Sequence, residues 1–204
     1  MNVLVFTPIY RIEPETVQAI LDLGHNGPIS VLFQNDNPHG DGHQNILHQY
    51  QRGRQVFLAG PYDAMLVIES DIIPPENTLE KLIALRADLA YGVYAFRLSS
   101  ESINVFERYP GQARNVGEPL TAHSGRLKAA LKRGVIDCSG GGLGCVLIKR
   151  RVLEAIDFRR EPGGPHCDSY FTEDCYKYGF TMKADLSVVC GHKREDGVVL
   201  WPRF

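Results

Sequence analysis

Residues 62–75 read YDAMLVIESDIIPP and contain an apolar run that leads directly into two acidic side chains. The run from Ala64 to Ile68 is short and unbroken, which is typical of a central strand buried on both faces. Glu69 and Asp71 follow it, and positions i and i+2 at the end of a strand point to the same side. The two prolines at 74 and 75 end the strand, and a helix begins behind them.

The acidic pair indicates where a ligand would bind. Open α/β sheets bind their ligands at the carboxyl edge of the strands, which is where Glu69 and Asp71 are expected. Paired hard oxygen atoms suit a divalent cation such as Mg²⁺ or Mn²⁺, and such a cation suits a diphosphate. The alternative interpretation is a solvated acidic turn behind a core strand.

The composition is that of a soluble globular domain. The chain has 204 residues, of which 44% are hydrophobic and 23% charged, and this length fits one domain. The net charge of −2 does not indicate nucleic acid or an anionic membrane as a partner. No apolar run approaches the ~20 residues of a spanning helix, and a strand pattern begins at Val3 without a basic leader. We therefore expect a cytoplasmic protein without a transmembrane segment or signal peptide.

The five cysteines predict reduced, mostly structural thiols. Their number is odd, their spacing is wide and no C-x-x-C occurs, which is typical of a reducing compartment. A zinc site formed by His166, Cys167 and Cys175 is an alternative, although the paired spacing of structural zinc sites is absent.

Hydrophobic periodicity predicts alternating strands and helices over the first half of the chain. Strands are predicted at 3–6, 29–33, 64–68 and 89–93, and helices at 13–23, at 44–58 and around Leu79 to Ile83. This order predicts an α/β fold with a mostly parallel central sheet flanked by helices. The first strand is not followed by G-x-G-x-x-G, which argues against a dinucleotide-binding oxidoreductase. The absence of G-x-x-x-x-G-K-[ST] argues against a P-loop phosphotransferase.

The pattern is weaker in the second half. Residues 99–117 are polar and predicted to be irregular, a short basic helix is predicted at 126–133, and a long loop in a compact domain is usually functional or mobile. Two short strands between 135 and 148 flank a glycine cluster, where backbone can approach a ligand closely or form a tight bend. Helices at 150–156 and 168–178, strands at 182–184 and 188–190, and a polar tail complete the prediction.

Four blocks of sequence occur in order along the chain. They are TPIY at 7–10 with Glu13, the stretch at 62–75, GLGCVLIKR at 142–150, and TED at 172–174 with GF at 179–180 and GH at 191–192. Together they resemble the GT-A glycosyltransferases, in particular the large inverting family of bacterial nucleotide-sugar transferases (family 2-like). Two positions depart from that family: Glu69 replaces the first Asp of its D-x-D motif, and Arg11 stands where it often has Asn.

The resemblance implies a single GT-A domain over residues 1–204, with a nucleotide-binding half at about 1–96 and an acceptor-binding half and tail at about 97–204. It implies a UDP- or GDP-sugar site formed by Thr7, Pro8, Tyr10, Asn35, Asp36, Arg54, Glu69, Ser70 and Gly142. The implied metal ligands are Asp71, Glu69 and His192, and the imidazole suits Mn²⁺ better than Mg²⁺. The longer side chain of Glu69 leaves open whether it binds the metal or the ribose or sugar hydroxyls. Asp174 is the implied general base.

These expectations describe a metal-dependent, hexosyltransferase-like enzyme that moves a sugar from a nucleotide-diphosphate donor to a hydroxyl of a glycan or protein acceptor. Transfer requires a stabilised diphosphate leaving group and an acceptor that is deprotonated as it attacks. A base opposite the leaving group gives inversion. One alternative is a sugar-nucleotide-binding protein of the same fold without turnover. The presence of Glu69 in place of the first Asp of the D-x-D motif favours this alternative. The other is a sugar nucleotidyltransferase, which usually has a glycine-rich basic loop after its first strand, whereas Thr7–Arg11 contains no glycine.

Overall fold

A computed structural model describes residues 1–97, 99–107, 117–122 and 125–204. The strands in these ranges are β1 (Val3–Pro8), β2 (Ile29–Gln34), β3 (Ala64–Ile68), β4 (Ile72–Ile73), β5 (Leu89–Val93), β6 (Ala95–Phe96), β7 (Ser99–Glu107), β8 (Glu118–Thr121), β9 (Val135–Asp137), β10 (Gly140–Gly141), β11 (Cys145–Lys149), β12 (Met182–Val189), β13 (Gly191–Lys193) and β14 (Val199–Leu200). The helices are α1 (Pro14–Leu21), α2 (Gly42–Ala59), α3 (Thr78–Ala84), α4 (Gly125–Arg133), α5 (Arg150–Ala155) and α6 (Cys167–Lys177).

The centre of the fold is a seven-stranded sheet in the order β2-β1-β3-β11-β5-β12-β9. Strand β1 is parallel to β2 and β3, and β5 is parallel to β12. Strand β11 lies antiparallel between β3 and β5, so these two strands run in the same direction. Strand β9 is antiparallel to β12 at one edge. The predicted mostly parallel α/β sheet is therefore confirmed.

Apolar cores cover both faces of this sheet. On one face, Leu4 and Phe6 of β1 and Met65 and Val67 of β3 pack with residues of α2, α4, α5 and α6. On the other face, the alternate residues of the same strands pack with α1 and α3. Strand β3 is apolar at every position because both of its faces are buried. The burial of apolar surface is the main source of stability.

The prediction that residues 99–117 are irregular is wrong for residues 99–107, which form β7. This strand pairs with β6, β8 and β10 in a second, smaller sheet. Asn104 is polar but fully buried, between the core residues Ile103 and Val105. Its side chain bonds the backbone of Tyr94 and Gly92 at 2.9 and 3.1 Å, which is why an amide interrupts the apolar pattern. Residues 108–116 of the predicted segment lie outside the described residues.

The polar tail after residue 190 is also more ordered than the sequence predicts. Strand β13 pairs with both β4 and β14, so residues close to the C-terminus form a third small sheet beside the end of β3. The two strands predicted at 182–184 and 188–190 are one strand, β12, with an irregular register between Ala184 and Val189.

All five cysteines are free thiols, as expected from their number and spacing. Cys167 and Cys175 are buried in the apolar core at opposite ends of α6, which does not suit a shared zinc site with His166. Within residues 1–97, 99–107, 117–122 and 125–204, no helix is both long enough and apolar enough to cross a membrane.

Candidate functional site

The carboxyl ends of five parallel strands meet at one edge of the central sheet. Pro8 at the end of β1 is in register with Gln34 at the end of β2, and Phe6 pairs with Val67 near the end of β3. At the same edge, Val93 of β5 pairs with Val189 of β12. The chain segments that leave these strands carry most of the residues expected to form a site, so the sheet brings them to one side of the molecule.

Asp71 and His192 are brought together by the pairing of β4 with β13. Ile72, the residue after Asp71, pairs with His192 itself, and the backbone N–H of Lys193 donates to the Asp71 carbonyl at 2.7 Å. The side chains then meet, with 3.3 Å between Asp71 Oδ2 and His192 Nε2. Both residues are buried. This contact joins positions that are 121 residues apart in the sequence.

Arg97 is the third member of this cluster. Its guanidinium donates to the Asp71 carboxylate, and its Nε lies 3.2 Å from His192 Nε2. Burial would raise the pKa of Asp71, but the hydrogen bonds and charges of His192 and Arg97 outweigh it and lower the pKa. Burial would lower the pKa of His192, yet its hydrogen bonds to Asp71 and to the Ala95 carbonyl give a net rise. The cluster therefore holds Asp71 as a carboxylate beside positive charge.

The hydrogen bonds of His192 define the orientation of its imidazole ring. Nδ1 lies 2.6 Å from the Ala95 carbonyl oxygen, which only accepts, so Nδ1 carries a proton. Nε2 then accepts from Arg97 in the neutral ring and points toward Asp71. A backbone carbonyl on Nδ1 is the usual second partner of a histidine that coordinates metal through Nε2.

The side chain of Glu69 forms a hydrogen bond with a residue outside this cluster. The Tyr50 hydroxyl on α2 donates to Glu69 Oε1 at 2.9 Å. Burial, together with the charges of Asp71 and Asp168, raises the pKa of Glu69 to about 7. The charges of two other carboxylates therefore act on Glu69, and the Tyr50 hydroxyl orients its side chain.

Of the three implied metal ligands, the structure brings two together. Among the described residues, no three His, Cys, Asp or Glu side chains converge to hold a metal ion, and Glu69 bonds to Tyr50 instead. Asp71 Oδ2 and His192 Nε2 nevertheless face one position, and the Arg97 guanidinium already contacts both atoms. The position between this carboxylate and the neutral imidazole is already occupied by a positive charge, that of Arg97. Such a pair of ligands fits a divalent cation that takes its other ligands from substrate or water.

Asp174 and Asp168 both lie on α6 but have different surroundings. Both oxygens of Asp174 accept hydrogen bonds from Arg159, at 2.7 and 2.9 Å. Asp168 lies in the first turn of α6, where burial raises its pKa, and its charge contributes to the raised pKa of Glu69. The implied base, Asp174, is thus held by an arginine, while Asp168 is the α6 carboxylate whose charge acts on Glu69.

The glycine cluster packs against Tyr94. The Gly144 N–H donates to the Tyr94 hydroxyl at 3.1 Å, and the Gly144 carbonyl accepts from the Glu69 N–H at 3.0 Å. The ring of Tyr94 also packs edge-on against His192, with 5.3 Å between the ring centroids. A Cβ atom added to Gly142 would lie 2.3 Å from the Tyr94 hydroxyl oxygen, so this glycine allows a close approach to Tyr94.

The residues expected around the nucleoside are at the same edge, with unequal exposure. Thr7 and Pro8 are buried at the end of β1, and the Thr7 hydroxyl has no hydrogen-bond partner among the described residues. Tyr10 is 83% exposed. Asn35 and Asp36 are exposed after β2, where Asp36 pairs with His48 at 3.0 Å. Ser70 is half-buried in the turn closed by the 3.0 Å hydrogen bond from the Ile72 N–H to the Glu69 carbonyl.

Arg54, which is expected in the sugar-nucleotide site, contacts the end of α5 in this structure. Its Nε donates to the carbonyls of Leu153 and Ile156 at 2.7 and 3.1 Å, and its guanidinium pairs with Asp157 at 3.6 Å. These groups lie at the C-terminal end of α5, where unpaired carbonyls attract a cation. The contact of Arg54 with the donor stays a prediction.

Sequence reasoning missed Tyr50, Tyr94, Arg97 and Asp168 as members of the site. The ring of Tyr50 fits the apolar face of the helix predicted at 44–58, and nothing in that pattern indicates that its hydroxyl donates to Glu69. Tyr94 follows a buried strand without a polar neighbour to mark it, and Arg97 begins the segment with the weakest pattern. Asp168 at the N-terminus of α6 resembles an ordinary acidic first-turn residue, so no sequence signal separates it from one.

A cleft of about 610 Å³ adjoins the cluster. It lies between the start of β7 and the segment that joins β13 to β14. Its walls carry both charges and are formed by Arg97, Ser99, Ser100, Glu101, Arg194, Glu195, Asp196 and Leu200. The segment after β14 contacts the start of β7, because the Arg203 N–H donates to the Ser100 carbonyl at 2.9 Å. Arg97 therefore connects the Asp71–His192 pair with an open, polar cleft.

Comparisons with known proteins agree at the level of the fold. No family model matches the chain, and no curated protein matches it in sequence. The crystal structure of A197 from STIV is similar over 100% of this chain and 95% of that chain, with a TM-score of 0.67 at 18% identity. A crystal structure of S. aureus TarS 1-349 matches 90% of this chain and 58% of that chain, with a TM-score of 0.52 at 14% identity. TarS 1-349 in complex with UDP gives a TM-score of 0.49 at 15% identity, over 90% of this chain and 57% of that chain.

TarS is a GT-A-like glycosyltransferase. The chain has a glycosyltransferase-like fold. At these identities the likeness shows the fold, and the chain spans little more than half the length of the TarS structures.

Proposed function

We propose that this protein is a glycosyltransferase that moves a sugar from a nucleoside diphosphate donor, a UDP- or GDP-sugar, to a hydroxyl of a glycan or protein acceptor. The observation that supports this most is the buried Asp71–His192 pair, with 3.3 Å between Oδ2 and Nε2, at the carboxyl edge of the sheet. Ligands of open α/β sheets bind at this edge. The glycosyltransferase-like fold agrees with the proposal.

In this proposal, Asp71 and His192 hold a divalent cation, Mn²⁺ or Mg²⁺. When bound, the cation would neutralise charge on the diphosphate leaving group. Glu69, oriented by the Tyr50 hydroxyl at 2.9 Å, accepts hydrogen bonds from ribose or sugar hydroxyls rather than completing the metal site. Thr7, Pro8 and Tyr10 line the nucleoside, with Asn35 or Asp36 on the base or ribose.

The acceptor hydroxyl requires a general base, for which α6 supplies two candidates. Asp174 is the base that the sequence resemblance implies, and a carboxylate paired with Arg159 keeps lone pairs that can accept a proton. Asp168 competes with it, because burial raises its pKa and a base works best when its pKa approaches the working pH. A base on the face opposite the diphosphate gives a single displacement with inversion.

The two alternative functions make different predictions for one assay. The purified protein is incubated with a panel of UDP- and GDP-sugars, with and without Mn²⁺, and the released nucleoside diphosphate is quantified with water or simple glycans as acceptors. A transferase releases nucleoside diphosphate, and the release falls to background in Asp71→Ala. Asp137→Ala, which removes an exposed carboxylate on β9, is the matched control and keeps the rate.

Other outcomes contradict the proposal. Saturable binding of a sugar nucleotide without any release indicates a binding protein without turnover. Formation of pyrophosphate from a nucleoside triphosphate and a sugar phosphate indicates a nucleotidyltransferase. Release that is equal in Asp71→Ala and in the wild-type protein means that the reaction occurs elsewhere or without this carboxylate.

A further inference from the structure

Arg97 occupies the position where two candidate metal ligands converge. Its guanidinium donates to the Asp71 carboxylate, and its Nε donates to His192 Nε2 at 3.2 Å. These are the same two groups whose nearest atoms lie 3.3 Å apart and face each other. Arg97 and a divalent cation therefore compete for the same carboxylate and the same nitrogen lone pair.

The position of Arg97 in the chain allows it to move. It follows the two-residue strand β6, and its side chain is 57% exposed, although its head contacts two buried groups. An arginine stem is long and flexible, and its planar head recognises phosphate oxygens in a bidentate manner. The cleft that Arg97 borders is also lined by Ser99 and Ser100, which carry hydroxyl groups, and by the carboxylates of Glu101, Glu195 and Asp196. An alternative position for the guanidinium head is therefore adjacent, in an open and polar cleft.

The remaining contacts of the cluster stay in place when Arg97 leaves. The Ala95 carbonyl keeps His192 Nδ1 protonated, at 2.6 Å, so that Nε2 stays an acceptor in the neutral ring. The pairing of Ile72 with His192, in β4 and β13, fixes the backbone on both sides. Contacts that do not include Arg97 thus hold Asp71 and His192 in place. Only the positive charge between them is exchangeable.

We propose that Arg97 is an exchangeable counter-ion that occupies the Asp71–His192 pair in the free protein and moves onto the diphosphate of the donor when a divalent cation takes its place. This inference rests on the proposed function, since it assigns a diphosphate-binding residue to the same site. It predicts opposite effects of Arg97 on its two ligands: Arg97 weakens binding of the cation alone and strengthens binding of the diphosphate.

The test uses the full chain and two binding measurements without any turnover. Binding of Mn²⁺ alone is measured by isothermal titration, and binding of UDP is measured at saturating Mn²⁺. In Arg97→Gln, Mn²⁺ alone is expected to bind about tenfold more tightly and UDP about tenfold more weakly, which is a typical size for coupling between ligands. Arg97→Lys keeps the charge without the bidentate head, so its Mn²⁺ affinity stays close to that of the wild-type protein while its UDP affinity falls.

Arg194→Gln is the matched control for the loss of a nearby positive charge. Arg194 borders the same cleft but pairs with Asp196 at 2.8 Å. The Mn²⁺ affinity of Arg194→Gln is expected to stay within about twofold of that of the wild-type protein, which is the effect expected from the loss of one exposed charge. An equal gain in Mn²⁺ affinity in Arg97→Gln and Arg194→Gln would overturn the proposal, because the effect would then be a general one of charge.

The remaining outcomes are also decisive. Unchanged or weaker Mn²⁺ binding in Arg97→Gln overturns the exchange, and tighter Mn²⁺ binding with unchanged UDP affinity overturns the movement onto the diphosphate. If the wild-type protein binds neither Mn²⁺ nor any nucleoside diphosphate, the proposed function fails together with this inference. Wild-type binding of both ligands with no effect of Arg97→Gln refutes this inference alone.

Discussion

The fit between Gly142 and Tyr94 makes a quantitative prediction about the site. A Cβ atom at Gly142 would lie 2.3 Å from the Tyr94 hydroxyl oxygen, closer than the 3.0 Å that real Cβ atoms respect. Tyr94 is buried, and its hydroxyl accepts the Gly144 N–H at 3.1 Å, so the ring has little freedom to move away. Overpacking of this kind costs about 1–3 kcal/mol, which is the expected loss of unfolding free energy in Gly142→Ala.

Replacing Tyr94 with Phe removes the atom that clashes. Alone, Tyr94→Phe leaves the Gly144 N–H without its acceptor, which costs about 1–3 kcal/mol for a buried group. With both substitutions, the nearest ring atom to the new Cβ is Cζ at 3.3 Å, a tight contact that a shift of a few tenths of an ångström relieves. The double variant should therefore lose less than the sum of the single losses, by at least about 1 kcal/mol.

The measurement is a double-mutant cycle from urea unfolding curves of the four proteins. Gly42→Ala is the matched control, because a Cβ at Gly42 meets no atom within 4 Å, and its effect should add to that of Tyr94→Phe within about 0.5 kcal/mol. Additive losses for Gly142→Ala and Tyr94→Phe would refute the packing argument. Titration of UDP into the same variants separates the two roles of Gly142. Recovery of affinity in the double variant indicates packing, and continued loss indicates that the ligand itself needs the glycine, as the sequence resemblance implies.

Two further predictions concern carboxylates elsewhere in the chain. The first compares the transfer rates and UDP affinities of Asp174→Asn and Asp168→Asn. The variant that lacks the general base should transfer about 10²–10⁴-fold more slowly, with its UDP affinity nearly unchanged. Native transfer rates in both variants would exclude both residues as the general base. In Asp88, burial raises the pKa, but hydrogen bonds from Arg151 at 2.6 Å and from Thr181 outweigh it and lower the pKa to about 2. A lowered carboxylate pKa stabilises the fold above the ordinary value of 3.8 and loses that effect as pH falls toward 2. Asp88→Asn should therefore lower the free energy of unfolding by about 1–2 kcal/mol at pH 7, allowing for the exposure of Arg151, and by almost nothing near pH 2. Urea unfolding curves that show an equal loss at both pH values would contradict a stabilising ion pair.

The central strands could be predicted from sequence because their apolar runs are continuous. Strands β3 and β5 have the predicted bounds, 64–68 and 89–93, since strands buried on both faces leave an unbroken local signal. Strand β7 could not be predicted, because Asn104 is buried through hydrogen bonds to Tyr94 and Gly92 that belong to the tertiary structure.

The site was predictable where residues follow strands and unpredictable where distant segments meet. Asp71 was identified because it follows β3, whereas β13 is a three-residue strand whose pairing with β4 has no local signature. The expectation that His192 belongs beside Asp71 came from the sequence resemblance. The same resemblance could not indicate Arg97, which contacts both side chains from a segment that matches none of the four blocks.

The most direct test of the proposed function is to locate nucleotide binding by NMR. At 22.8 kDa, the protein suits amide chemical-shift mapping with UDP and GDP, each with and without Mg²⁺, which avoids the paramagnetism of Mn²⁺. We expect saturable shifts, strengthened by the cation, that cluster at residues 7–10, 69–72 and 190–193 and are lost in Asp71→Ala. Absence of binding by either nucleotide, or shifts that cluster away from the carboxyl edge of the sheet, would contradict it.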